Sequence, residues 1–120
     1  MTTNNATLLI IDDEASVCRA LSRILRQKAQ DIITAQNTAD AELIMDTRDV
    51  THILCDHLLG PGQPRGLDTA VHWKNEYPSI EKIIILTGTD AAFDAPPPGI
   101  DHVLPKTTDP LKLAEYLELG

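Results

Sequence analysis

Cysteine is scarce in this 120-residue chain: Cys18 and Cys55 are the only two, each sits inside an apolar run, and neither a disulfide framework nor a metal-binding spacing is present. Both read as reduced core thiols. Aromatic residues make up 3%, namely Trp73, Tyr77, Phe93 and Tyr116, too few for a platform that stacks nucleobases, so the core has to be aliphatic. Cations are in deficit as well. Ten Lys and Arg against eighteen Asp and Glu leave a formal net charge of −8, which repels a phosphate backbone and argues against direct nucleic-acid binding. No run approaches the ~20 apolar residues of a membrane span, and Met1 to Thr7 is too short and polar for a signal peptide. A cytoplasmic location is the expectation.

What remains is 42% hydrophobic, enough for one domain over residues 1–120 to bury roughly two thirds of its unfolded surface without a staple. Leu8 to Ile11, Ile32 to Ala35, His52 to Asp56, Lys82 to Thr87 and His102 to Leu104 are short apolar runs of the kind a strand shows when buried on both faces. Between them lie helical patterns. Glu14 to Lys28 repeats Val17, Leu21, Ile24 and Leu25 at helical spacing, with Arg19, Arg23 and Arg26 interspersed. Thr38 is placed to cap a helix running to about Arg48 with Ala41, Ile44 and Met45 inward, and Leu67 to Tyr77 is a further helix stopped by Pro78. Asp109 with Pro110 opens the last one, Leu113 and Leu117 facing in. Pro96, Pro97 and Pro98 limit any helix before them to a turn or two. Alternating strands and helices predict an α/β fold, an open five-stranded parallel sheet of flavodoxin-like order 2-1-3-4-5 with helices on both faces and a short or irregular fourth helix.

In such a sheet ligands bind at the carboxyl ends of the strands, where the order reverses. The residues there are Asp12 and Asp13 after the first strand, Asp56 at the third, Thr87 at the fourth and Lys106 after the fifth. Three carboxylates together repel unless a cation offsets them, and an all-oxygen set suits a hard ion such as Mg²⁺. With a metal and an ammonium beside it, one carboxylate can accept a phosphoryl group.

Leu8-Leu9-Ile10-Ile11-Asp12-Asp13-Glu14, Ile53-Leu54-Cys55-Asp56, Ile84-Ile85-Leu86-Thr87-Gly88 and Leu104-Pro105-Lys106 follow in that order, with 43 residues from Asp13 to Asp56, 31 from Asp56 to Thr87 and 19 from Thr87 to Lys106. This set resembles the receiver domain of two-component response regulators across nearly the whole chain. The resemblance implies that Asp56 is the phosphoacceptor and Asp13 a direct Mg²⁺ ligand, that Asp12 holds the metal through water and Leu58 offers its backbone carbonyl, and that Thr87 is the switch hydroxyl and Lys106 the partner of the phosphate. It implies a donor histidine on a kinase or histidine phosphotransfer protein, no nucleic acid or membrane as partner, and room for a weak homodimer. The chain is then a signalling receiver with only its own phosphorylation and dephosphorylation chemistry, either whole or cut from something longer.

Departures from the family pattern are equally specific. The nine residues His57 to Arg65 form a loop longer than is usual, with Gly60 where proline is common. Leu58, apolar at the second place after the acceptor, implies slow self-hydrolysis. Val103 stands where a switching aromatic ring is usual, Thr107 replaces the proline after the lysine so that a trans bond is expected, and the stretch from Thr87 to Gly99 is shorter than its counterparts. Those last features favour the alternative of a phosphate-independent binding module, against which stands the complete acidic set. An aspartyl phosphatase would need an acid two residues after its nucleophile, which Leu58 does not supply to Asp56; Glu14 could serve Asp12, but 120 residues leave no room for a substrate-capping domain. The loop Gly60 to Gly66 lacks the Lys-Ser/Thr ending of a phosphate loop, and Pro61 and Pro64 remove amide donors. The histidines, His52, His57, His72 and His102, have no metal-site spacing, and of these only His57 adjoins the acceptor.

Overall fold

The computed structural model describes residues 5–88 and 96–119. Five strands, β1 (Thr7–Ile11), β2 (Asp31–Ala35), β3 (His52–Asp56), β4 (Lys82–Thr87) and β5 (His102–Pro105), alternate with α1 (Ala15–Leu25), α2 (Thr38–Thr47), α3 (Gly66–Glu76) and α4 (Pro110–Tyr116). All pairings are parallel, in the order β2-β1-β3-β4-β5. This is the doubly covered α/β sheet expected from the alternation of runs. A helix before the triple proline would fall on residues 89–95, outside the described residues.

The apolar runs work because successive strand residues face opposite ways. Leu9, Ile11, Ile53, Cys55, Ile83 and Ile85 point to the face covered by α2 and α3, where Ala41, Met45, Ala70 and Trp73 meet them. Leu8, Ile10, Leu54, Ile84 and Leu86 point to the other face, against Cys18, Leu21 and Leu25 of α1 and Leu113 of α4. Both cysteines are free and buried, one on each face. Trp73 is fully buried and its Nε1 donates to Glu42 Oε2 at 3.0 Å, while the Tyr77 hydroxyl donates to Asp46 Oδ1 at 2.7 Å. The two aromatics thus tie the end of α3 to α2 by rungs four residues apart on each side.

Three local expectations change. The helix α1 ends at Leu25 instead of Lys28, and Ile24 is 46% exposed while Cys18 takes a core place. At 3.6 residues per turn, Ile24 lies about a quarter turn from the centre of the stripe formed by Cys18, Leu21 and Leu25. Asn37, not Thr38, caps α2, its Oδ1 accepting from Asp40 N at 2.8 Å, so Thr38 becomes the first helical residue. The strand β5 continues through Pro105, tolerated because β5 is an edge strand and the missing N–H need not find a sheet partner. Asp109 caps α4 as expected, accepting from Leu111 N at 3.0 Å, and no peptide bond among the described residues is cis.

His52 opens β3 buried, its Nδ1 2.7 Å from Thr51 Oγ1. Burial, reinforced by the Lys82 charge, outweighs the nearby carboxylates of Glu81, Glu118 and Asp101 and pulls its pKa below the ordinary histidine value. The unfolded chain therefore binds a proton here more readily than the folded one, and stability present above about pH 6.5 is lost as the pH falls toward the depressed folded value. Urea titrations at pH 7.5 and 5.5 are expected to show this loss, and His52→Gln to reduce it. An unchanged slope in His52→Gln would assign the loss to other groups.

Candidate functional site

The order of the sheet sets β1, β3, β4 and β5 side by side, so their carboxyl ends form one edge. Asp12, directly after β1, is 2% exposed, and Asp56 and Thr87, the last residues of β3 and β4, are each 5% exposed. Lys106 follows β5, and its backbone N donates to Thr87 O at 2.9 Å, which fixes where its side chain starts. From there Nζ donates to Asp56 Oδ2 at 2.9 Å and stands 3.5 Å from Asp12 Oδ2. One ammonium therefore serves two buried carboxylates.

The remaining oxygens are held from the backbone. Asp12 Oδ1 accepts from Glu14 N at 2.9 Å, an arrangement available because the chain turns into α1 at that point. Asp56 Oδ1 accepts a longer bond from Leu58 N at 3.4 Å, while the Leu58 side chain is 56% exposed beside the acid. Asp13 is exposed, and one oxygen each from Asp12, Asp13 and Asp56 lie within 4.8 Å of one another.

Burial raises the pKa of Asp12, an effect that the Glu14 backbone bond and the Lys106 charge reduce and that Asp56 adds to. Lys106 loses hydration on burial, which acts downward, but its bond to Asp56 and the charges of Asp12 and Asp56 carry its pKa above the ordinary lysine value. It stays an ammonium throughout the physiological range. Burial also pushes the Cys55 and Cys18 thiols up, so neither is a nucleophile at neutral pH. Three formal carboxylates against one ammonium leave two negative charges uncompensated at the edge, and an all-oxygen set of that charge fits a divalent hard cation.

All the acids and the lysine singled out in the sequence are brought together here, with Thr87 at the adjoining strand end. Two glycines have a part in the site that the sequence did not disclose. Gly60 adopts φ +108°, and a Cβ there would lie 3.6 Å from Asp13 Oδ2, so the long loop folds back over Asp13. Gly66, at the start of α3, presses on the end of β3: a Cβ would meet Asp56 O at 2.3 Å. A glycine opening a helix close after the acid was the available signal. His57 N donates to Leu86 O at 2.8 Å, and its Nδ1 is buried with no hydrogen-bond partner among the described residues.

The sequence matches the response regulator receiver domain over residues 8–118. It is 28% identical over 122 residues to the alginate biosynthesis transcriptional regulatory protein AlgB of Pseudomonas syringae pv. tomato, covering 98% of this chain and 27% of that protein. The AlgB of Pseudomonas putida matches at 28% over 97% of this chain and 26% of its own length. The chain thus spans about a quarter of the length of these curated relatives. Among solved structures, a signal receiver domain of an HD domain-containing protein from Pseudomonas fluorescens superposes with a TM-score of 0.80 at 22% identity, covering 96% of this chain and 93% of that one. A response regulator from Burkholderia pseudomallei with a phosphorylated aspartic acid, calcium ion and citrate superposes with a TM-score of 0.79 at 24% identity, covering 94% and 66%.

Proposed function

The chain belongs to the response regulator receiver domain family, and from that premise we propose that Asp56 accepts a phosphoryl group from a phosphohistidine on a partner kinase or histidine phosphotransfer protein. The observation that carries the reading is the Lys106 ammonium shared between Asp56 and Asp12, both buried, with Asp13 beside them. In the transfer an Asp56 carboxylate oxygen bonds to phosphorus as the phosphorus–nitrogen bond breaks, and its electron pair stays on the departing imidazole nitrogen. Hydrolysis later returns the carboxylate, with water supplying the new oxygen on phosphorus.

Asp13 and Asp56 would hold a Mg²⁺-type ion, Asp12 would do so through water, and the Leu58 carbonyl would complete the protein's share. Such an ion supplies charge neutralisation for a phosphoryl group entering among carboxylates. Lys106 positions one Asp56 oxygen before transfer and pairs with a phosphate oxygen afterwards. Thr87, one residue beyond the Asp56–Leu86 pairing, donates its hydroxyl to the modified acid, and this new bond biases the surface that partners read. That the related Burkholderia pseudomallei protein carries a phosphorylated aspartic acid with calcium supports the same chemistry here. A cytoplasmic location follows from the same reading, and no helix among the described residues is long and apolar enough to cross a membrane.

Intact-mass spectrometry after incubation with acetyl phosphate and Mg²⁺ tests it. The expected result is a gain of one phosphoryl group, reduced more than about tenfold when EDTA removes the ion, in line with its share in stabilising phosphoryl-transfer charge. Equal labelling with and without EDTA would overturn the metal assignment, and no labelling under any condition would overturn the acceptor role.

A further inference from the structure

On the flank of α1 that faces the sheet edge, away from α4, a groove of about 630 Å³ runs between α1 and β2. Its walls carry Arg19 and Arg23 from the helix, Arg26 just past its end, and Ile32 and Thr34 from the strand. These are three of the ten cations of a chain whose net charge is −8, and none of them forms an ion pair among the described residues. The helix dipole favours cations near the end of α1, which accounts for how far along the helix Arg23 and Arg26 sit but not for three guanidinium groups on one flank. Asp31, the carboxylate lining the same groove, is bonded to Arg48 instead. In the groove wall Ser22 Oγ is buried with no hydrogen-bond partner among the described residues.

The strand beside these arginines is an edge. One side of β2 pairs with no other strand among the described residues, and the sequence Asp31-Ile32-Ile33-Thr34-Ala35 holds no proline or lysine of the kind that blunts exposed edges. An edge with free backbone groups accepts an extended peptide, and side chains pointing one way along that peptide recur every ~6.8 Å. At about 1.5 Å per residue Arg23 lies about 6 Å beyond Arg19 along α1, and Arg26, just past the helix end, about 4.5 Å further, so their long side chains can each reach a carboxylate at every second peptide position. No aromatic residue lines the groove, so a nucleobase finds no aromatic platform there, which disfavours a nucleotide occupant.

We propose that this groove binds an extended acidic segment of a partner protein, which adds to the free edge of β2 and sets alternate carboxylates against Arg19, Arg23 and Arg26. The site is separate from the acidic edge and does not depend on phosphorylation.

A fluorescein-labelled peptide alternating glutamate and valine, titrated with the 120-residue chain at low salt, tests this by anisotropy together with amide hydrogen exchange. Binding is expected to weaken at least tenfold in the Arg19→Gln/Arg23→Gln/Arg26→Gln variant and in high salt, and bound peptide is expected to slow exchange of the β2 amides. The three arginines are exposed, so the variant should keep the wild-type circular dichroism, and single Arg23→Gln serves if it does not. The proposal is overturned by equal binding to wild type and variant, by binding that leaves β2 exchange unchanged, or by inorganic phosphate competing at lower concentration than the peptide, which would make this a small-anion site. Self-association of the wild type that the variant loses would give the groove to a second copy and overturn it too.

Discussion

Asp56→Asn is expected to abolish acceptance of a phosphoryl group, by more than about a thousandfold, as loss of a nucleophile in an otherwise intact site does. The amide has nearly the shape of the carboxylate, but its nitrogen lone pair is delocalised and its oxygen carries no full charge with which to attack phosphorus. What makes the substitution informative is that the fold should tolerate it. Asp56 is buried against Asp12, and its charge is one of the causes that raise the Asp12 pKa. Removing that charge lowers the repulsion between two desolvated groups, and the single asparagine oxygen can still accept from Lys106, at the cost only of the long 3.4 Å bond from Leu58 N to the other oxygen. Urea unfolding of the variant should therefore match or exceed the wild type, while mass spectrometry with acetyl phosphate and Mg²⁺ shows no added group. Labelling of Asp56→Asn at the wild-type rate would place the acceptor elsewhere, with Asp13 the next residue to test.

That prediction could be framed from the sequence because a parallel sheet converts order along the chain into neighbours along an edge. The inner strands β1, β3 and β4 are buried on both faces, so each announces itself as an apolar run, and the acids and Lys106 close or follow the runs of the sheet. Thr87 and Lys106 become adjacent through the β4–β5 register, and that register is what aims Lys106 at two carboxylates at once. No spacing rule conveys such an aim. Side-by-side capping residues were likewise undecidable: Asn37 and Thr38 both have the chemistry of an N-cap, and the backbone chose Asn37. Ile24 fits a helical repeat yet lies off the centre of the buried stripe, because Cys18 serves as a small apolar residue in the core. The arginines of α1 read as a solvated face until β2 is set beside them, and only then do they line a groove.

Gly66 is where the longest reach between sequence and site is tested, and Gly66→Ala is expected to destabilise the chain by about 3 kcal/mol, the upper range for forcing extra atoms into a packed place. The Cβ would lie 2.3 Å from Asp56 O, 3.2 Å from Asp56 C and 3.0 Å from Cys55 Sγ. Two of the three are backbone atoms that cannot swing away. Asp56 is paired with Leu86 in the sheet, His57 N donates to Leu86 O at 2.8 Å, and Gly66 N itself donates to His57 O at 2.8 Å. Relief must come from lifting the start of α3 or displacing the end of β3, and the second moves the acceptor away from Lys106. With a urea dependence of about 1–3 kcal/mol per molar for small domains, the midpoint should fall by about 1–3 M, and phosphoryl acceptance should fall with it even where the protein remains folded. Gly62→Ala is the matched comparison, since Gly62 has φ +77° but nothing within 4 Å of a Cβ. It bears only the cost of a left-handed alanine, about 1 kcal/mol, and should leave acceptance unchanged. If Gly66→Ala were no more harmful than Gly62→Ala, the end of β3 would be compliant, and α3 would not be what holds Asp56 in register with Lys106.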